Sequence, residues 1–309
     1  MAKKYRLTEE TTVYRGHTLH RIQALKDFGN VNKGDRGGWV EKEANLSQEG
    51  DCWVYDHARV FDNALVHGSA RVYGNAMMYG DAQARNSAEV YDDAQVYGRT
   101  NVYGAAQIYG KAKVYGGCWV GGDAQVYDHA LAYGEANVCE DAWVYGEAKV
   151  YGKAQVYGEA RIFGDAQVHG RAWVHGEAKV YGKAQVHGET QIYGKAKVYD
   201  NARVYGHAWV HGGAWVYENA RVCVAADVEA KSRICGDAVV KLMGDCIAIQ
   251  NWWSSGRWLT YTKSNGKWKV GCFYGTGKEL VRKAYADSEQ KGRCYEAIVN
   301  AVEKINSIL

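Results

Sequence analysis

One pattern governs this chain of 309 residues. Read in steps of six from Val54 to Val240, every position is Val or Ile except Met78, Ala84 and Ala132. Four residues after each aliphatic slot, from Ala58 to Ala238, sits Ala, replaced only by Thr100, Cys118, Thr190 and Ser232. Gly fills 21 of the 32 positions that lie two after the aliphatic slot. The unit, as in Ala154-Gln155-Val156-Tyr157-Gly158-Glu159, runs without insertion or deletion. A helix is a poor host for it. Six residues at about 100° each scatter the aliphatic slots around the axis, and each interior Gly costs roughly 1 kcal/mol relative to Ala. An extended chain suits it better. Ala and Val, two apart, both point inward, while the intervening residue and Tyr point outward. Gly accepts the backbone angles of a corner. Three such sides predict a triangular coil of eighteen residues. The absence of Pro fits a chain in which each coil must donate N–H groups to the next.

Over residues 54–240 the chain resembles the hexapeptide-repeat family, with the family's Gly displaced by one behind Tyr. The resemblance implies a left-handed parallel β-helix. Tyr5-Arg6-Leu7, Gly37-Gly38-Trp39-Val40, Asn45-Leu46-Ser47-Gln48 and Gly50-Asp51-Cys52-Trp53-Val54-Tyr55 resemble the start of the YdcK-type hexapeptide proteins of bacteria and prophages. That likeness implies the architecture and leaves activity open. The expected fold is mainly β: a triangular solenoid of about 10–11 coils, roughly 50 Å long at ~4.8 Å per coil, with a small C-terminal α+β module. The expected boundaries are an N-terminal cap over 1–53, the repeat over 54–241 and the module over 242–309.

The flanks read as covers for the open ends of such a rod. Apolar alternation around Thr12-Val13-Tyr14 and Leu19-His20-Arg21-Ile22, with Gly16-His17 between, predicts a short hairpin. After Val240 the hexad breaks and the charge turns basic. Strands are predicted over Arg257–Tyr261 and Lys267–Tyr274, joined at Ser264-Asn265-Gly266. A helix over 278–287, entered through Gly275-Thr276-Gly277, precedes a second over 294–308 with Tyr295, Ile298, Val302 and Ile305 as its apolar stripe.

Residues eighteen apart should stack on successive coils. One outward column is then aromatic throughout: Tyr55, Tyr73, Tyr91, Tyr109, Tyr127, Tyr145, Phe163, Tyr181, Tyr199 and Tyr217. A second runs Phe61, Tyr79, Tyr97, Tyr115, Tyr133, Tyr151, His169, His187, Tyr205. Stacked rings stabilise a rod by ~0.5–1.5 kcal/mol per pair. The same rings, with Trp53, Trp143 and Trp215 beside the first column, are also candidates for a docking face. The module offers Trp252, Trp253, Trp258 and Trp268 beside Arg257, Lys263, Lys267 and Lys269. Such interleaving suits either packing on the last coil or single-stranded nucleic acid.

A net charge of +3 excludes a strongly basic nucleic-acid binder. No apolar run spans a bilayer, no secretory signal opens the chain, and eight Cys without CxxC spacing fit reduced thiols, so a cytoplasmic location is expected. No P-loop, GxGxxG or GxSxG is present. Two enzyme readings compete. Acyl transfer, on a His general base, lacks the loop insertion that hexapeptide acyltransferases carry. A γ-carbonic-anhydrase-like metal site would use His175 and His211, two coils apart, but Val216 stands where a third ligand belongs; His169 and His187 could share a metal with a second subunit. The leading expectation is a non-enzymatic protein, without cofactor or metal, that docks a protein partner through a preformed face. The resemblance to prophage proteins points it towards inhibition of a host defence protein. Self-association and a polymer-forming role are further expectations.

Overall fold

The computed structural model describes residues 3–308. The chain divides into two compact units, Met1–Gly176 and Glu177–Leu309. Both are parallel β-solenoid, and each hexad forms a strand of two to four residues. Three strands make a turn, and equivalent residues eighteen apart pair in parallel, as Glu89 with Gln107 and Val90 with Ile108. Three parallel sheets result in each unit, one per side of the triangle. The interior is what the spacing predicts: the aliphatic and small slots are buried, including the exceptions Met78, Ala84, Ala132, Thr100, Cys118, Thr190 and Ser232.

The corners explain the Gly column and its replacements. Gly98 has φ 72°, and a Cβ there would stand 2.9 Å from the Gly116 nitrogen of the next coil. Asp92 takes the same slot at φ 56°, and its carboxylate accepts the Gly110 N–H of the next corner at 3.1 Å. Asp56 and Asp128 do likewise for Gly74 and Gly146. The corner favours either no side chain or an acceptor, and Glu140 and Glu218 serve as well as Asp; Val224 and Ala230 hold the slot at φ 61° and 58° with neither feature.

In the first unit β1 (Tyr5–Tyr14) and β2 (His17–Ala24) form the expected hairpin, longer than its apolar core suggested. β2 pairs with β3 (Arg36–Val40), which lies parallel to Arg59–Val60 and so leads the chain into its first coil. In the second unit the last rung, Val239–Val240, is followed by a four-stranded antiparallel sheet. Its strands are Cys246–Gln250, Trp258–Thr262, Lys267–Val270 and Phe273–Thr276, where two had been expected. Helix α1 (Gly277–Asp287) starts on a capping box between Thr276 and Glu279. Helix α2 (Glu289–Ile308) begins five residues before the expected start. Leu259, Tyr261, Trp268, Leu280, Tyr295 and Val299 form the module's core. No helix among the described residues is long and apolar enough to cross a membrane.

Candidate functional site

Three outward faces carry the candidates. On the first, Tyr73, Tyr91, Tyr109, Tyr127, Tyr145 and Phe163 stack with centroids 4.7–5.0 Å apart and planes within 6°. Tyr181, Tyr199 and Tyr217 continue the pattern in the second unit. Tyr55 does not join: the stack starts at Tyr73. Phe61 to His169 stack in the same way on the second face. The rings lie on the prism wall, half-buried by their neighbours. Hydroxyls reach the side chain sixteen residues on: Tyr109 donates to Gln125 at 3.2 Å and Tyr73 to Glu89 at 3.1 Å. Burial and neighbouring rungs push the Tyr91, Tyr127 and Tyr199 hydroxyls up to about 12, which keeps them neutral donors.

The tryptophans were misread. Trp53 is buried by the N-terminal segment, edge-on to Tyr5 and Phe28. Trp143 is covered by the Arg161 guanidinium at 4.6 Å, and Trp215 lies between Lys197 and Arg233 at 4.4 and 3.9 Å. Their faces are occupied by cations from adjacent coils. The exposed rings are Trp119, Trp173 and Trp209, all on the third face. Their shared register was legible, since 119, 173 and 209 differ by multiples of eighteen.

The C-terminal aromatics and cations do not make one platform. Trp268 is buried in the module core and Trp253 packs edge-on against Tyr295. Only Trp252 stands well clear, at 77% exposure, while Trp258 is half-buried. Alternation along Lys267–Val270 sends Lys267 and Lys269 to the side opposite Trp268. Arg257 and Lys263 are exposed. Tyr217 is buried at the end of its column, where the Tyr274 hydroxyl reaches the Cys235 carbonyl at 3.4 Å.

Two histidine clusters stand out. His17 bridges Glu41 (Nδ1, 2.9 Å) and Asp62 (Nε2, 3.5 Å), with its ring 5.0 Å from that of Phe61. These are the residues whose ligand atoms converge within 4.8 Å. Nothing in the sequence announced them, because three separate segments supply them. The Glu41 hydrogen bond raises the His17 pKa. Both ring nitrogens face carboxylates, so the ring is a bridge between acids. The second cluster is His211, whose Nε2 meets the Asp227 carboxylate at 2.9 Å while its ring stacks on Tyr193 at 4.7 Å. This is the ladder's own sixteen-residue contact, with His and Asp in place of Tyr and Gln. His175 stacks on Tyr157 at 4.8 Å, and burial lowers its pKa. Val216 points inward, so the three-ligand set expected of a γ-carbonic-anhydrase site does not assemble.

The model of the YdcK beta solenoid repeat matches residues 106–122, 154–170 and 196–212. Over 76 residues the chain is 38% identical to a protein of Escherichia coli (strain K12) named "Uncharacterized acetyltransferase YdcK". The alignment covers 22% of this chain and 23% of that protein, so less than a quarter of the relative's length is matched. The non-enzymatic docking reading is overturned by this match: the similar repeat belongs to a protein with an acetyltransferase name. The expectation had leaned on the lack of an inserted loop, which is a weak argument, since catalytic side chains can stand directly on the rungs. The chain is a β-solenoid protein built on six-residue repeats, which match the YdcK beta solenoid repeat over residues 106–122, 154–170 and 196–212.

Proposed function

We propose that the chain is an acyltransferase of the hexapeptide-repeat type, active in the cytoplasm, moving an acetyl group from a thioester to an amine or hydroxyl acceptor. The observation that carries this is the 38% identity to the protein named an acetyltransferase. The His211–Asp227 pair is the best placed to serve it. A carboxylate on one imidazole nitrogen fixes the tautomer and leaves the other to take a proton from the attacking acceptor. Nδ1 of His211 has no partner among the described residues, and the ring is accessible on one edge, at 19% side-chain exposure. Trp209, exposed on the same hexad, offers an apolar wall beside it.

The ladder supplies a clean test. His211→Tyr puts in the rung the ring that Tyr103, Tyr157 and Tyr193 already carry in the same column, so the rung should stack as before while the base is lost. Release of coenzyme A from acetyl-coenzyme A, followed by chromatography with a panel of amine and hydroxyl acceptors, should fall by about 10²-fold or more at unchanged melting temperature. Failure of every acceptor to raise release above the uncatalysed rate, or full activity in the variant, would remove the assignment.

A further inference from the structure

Four of the six arginines in the outward slot before the aliphatic residue have something to lean on. Arg59 lies 4.7 Å over Tyr14, Arg71 pairs with Glu89 at 3.5 Å, and Arg161 and Arg233 cover tryptophans. Arg203 and Arg221 break the pattern. They occupy neighbouring rungs in direct register, are exposed, and have neither an acid nor a ring partner among the described residues. Like charges set opposite one another on adjacent strands cost stability. The nearby carboxylates are committed: Asp200 accepts the Glu218 N–H at 3.2 Å, Glu218 accepts the Gly236 N–H, and Glu189 pairs with His207 at 3.4 Å.

The two guanidinium groups border a cleft of about 150 Å³ lined by Gln185, His187, Arg203, Tyr205 and Arg221. No carboxylate lines it. Burial and then the Arg203 charge lower the His187 pKa, so that ring adds donor and acceptor capacity without a third charge at neutral pH. The Tyr205 hydroxyl, hydrogen-bonded to the Cys223 thiol, lies within the fields of both arginines.

We propose that Arg203 and Arg221 form an anion site for a diphosphate group, one guanidinium on each phosphoryl. Planar forks at successive rungs suit two adjacent phosphoryl groups. The site is on the second face, whereas His211 is on the third, so it stands apart from the acyl-transfer reading.

Calorimetric titration of the full chain tests it, with pyrophosphate, ADP and orthophosphate as probes. Pyrophosphate and ADP should bind, orthophosphate at least tenfold more weakly. Arg203→Gln and Arg221→Gln should each weaken pyrophosphate at least tenfold, and His211→Tyr should leave it unchanged. Tighter binding of ADP than of pyrophosphate assigns the diphosphate to a nucleotide; equal binding assigns it to the diphosphate alone. Without ligand, Arg221→Gln should melt higher than the parent, because the repulsion is gone. Absence of binding by all three probes at concentrations on the order of millimolar, or undiminished binding in both glutamine variants, overturns the proposal.

Discussion

The two ends of the chain solve opposite problems. In hexad after hexad three N–H groups run forward: those of Trp53, Tyr55 and His57 donate to the carbonyls of Ala70, Val72 and Gly74, and those of Arg59, Phe61 and Asn63 to the carbonyls of Ala76, Met78 and Gly80. The solenoid is therefore polar. Its first coil is rich in waiting carbonyls and its last in waiting N–H groups. The N-terminal segment answers with donors. The Lys4 ammonium is buried and donates to the carbonyls of Glu49, Gly50 and Cys52 at 3.4, 3.2 and 3.0 Å. Asn45 gives its amide to the carbonyls of Asp62 and Ala64, and the backbone donates through Trp39 of β3 and Glu41 just after it. The C-terminal module answers with acceptors. Thr260 Oγ1 takes the Arg233 N–H at 2.9 Å, Ser264 Oγ takes the Val239 N–H at 2.7 Å, and Asp245 takes that of Lys241 at 2.8 Å. The N-terminal cover extends the backbone ladder itself. The C-terminal one is a separate sheet with its own core, joined to the last coil by a few side-chain oxygens. Capping chemistry follows from strand polarity, and the two segments cannot exchange roles.

The contrast can be broken most forcefully at Lys4. Burial lowers its pKa, against the pull of the Cys52 thiol and Asp51 that favours the charged form. Lys4→Met keeps the stem and removes the donor, which leaves its three carbonyls unpaired inside the protein. We expect a loss of about 2–4 kcal/mol in denaturant unfolding, with early hydrogen exchange in the first coil, since a repeat frays from its end. An unchanged midpoint would mean that the donors are ornamental. At the other end the expected loss is smaller. Thr260→Val is close in shape and buried, and it orphans a single N–H. About 1–2 kcal/mol should go, and faster exchange should be confined to the Arg233 amide and its neighbours. Equal losses at both ends would erase the distinction between an extended ladder and a docked sheet.

Much of this was legible because the repeat has no insertions. A period of six fixed the two buried slots, the three faces and the eighteen-residue register, and from them the stacked columns. What escaped notice depended on contacts between columns. Trp143 and Trp215 look like free anchors until the cation one coil away is placed on the ring. Trp268 reads as one aromatic among four until strand alternation turns it into the module core. Function was the least legible. An uninterrupted repeat says what a wall is made of, and it says little about which wall reacts. Asn265-Gly266 shows the opposite case: a turn signal read for its own sake is also a contact, since the Asn265 amide reaches Asp237 at the last coil's corner.

The smallest expected effect lies at the tip of the N-terminal hairpin and depends on pH. His17 and Glu41 share a 2.9 Å contact that holds this tip beside Phe61. The Glu41 hydrogen bond raises the His17 pKa above 6.5. A raised value stabilises fully below 6.5 and is lost as pH climbs through the folded value. Burial works against ionisation of Glu41, but the His17 bond and the Asp62 N–H outweigh it and hold its pKa below 4.5. A lowered carboxylate stabilises fully above 4.5 and is lost as pH falls through the folded value. The two limbs predict a plateau between pH 4.5 and 6.5, with hairpin protection falling on either side. Amide exchange of β1 and β2 across this range reads it directly. His17→Gln should abolish the alkaline limb and shrink the acid one, which the Asp62 N–H still sustains; Glu41→Gln should abolish the acid limb and shrink the alkaline one, which the Asp62 carboxylate still sustains. No such plateau is expected in the exchange of the C-terminal sheet, where neutral hydroxyls hold the Arg233 and Val239 N–H groups.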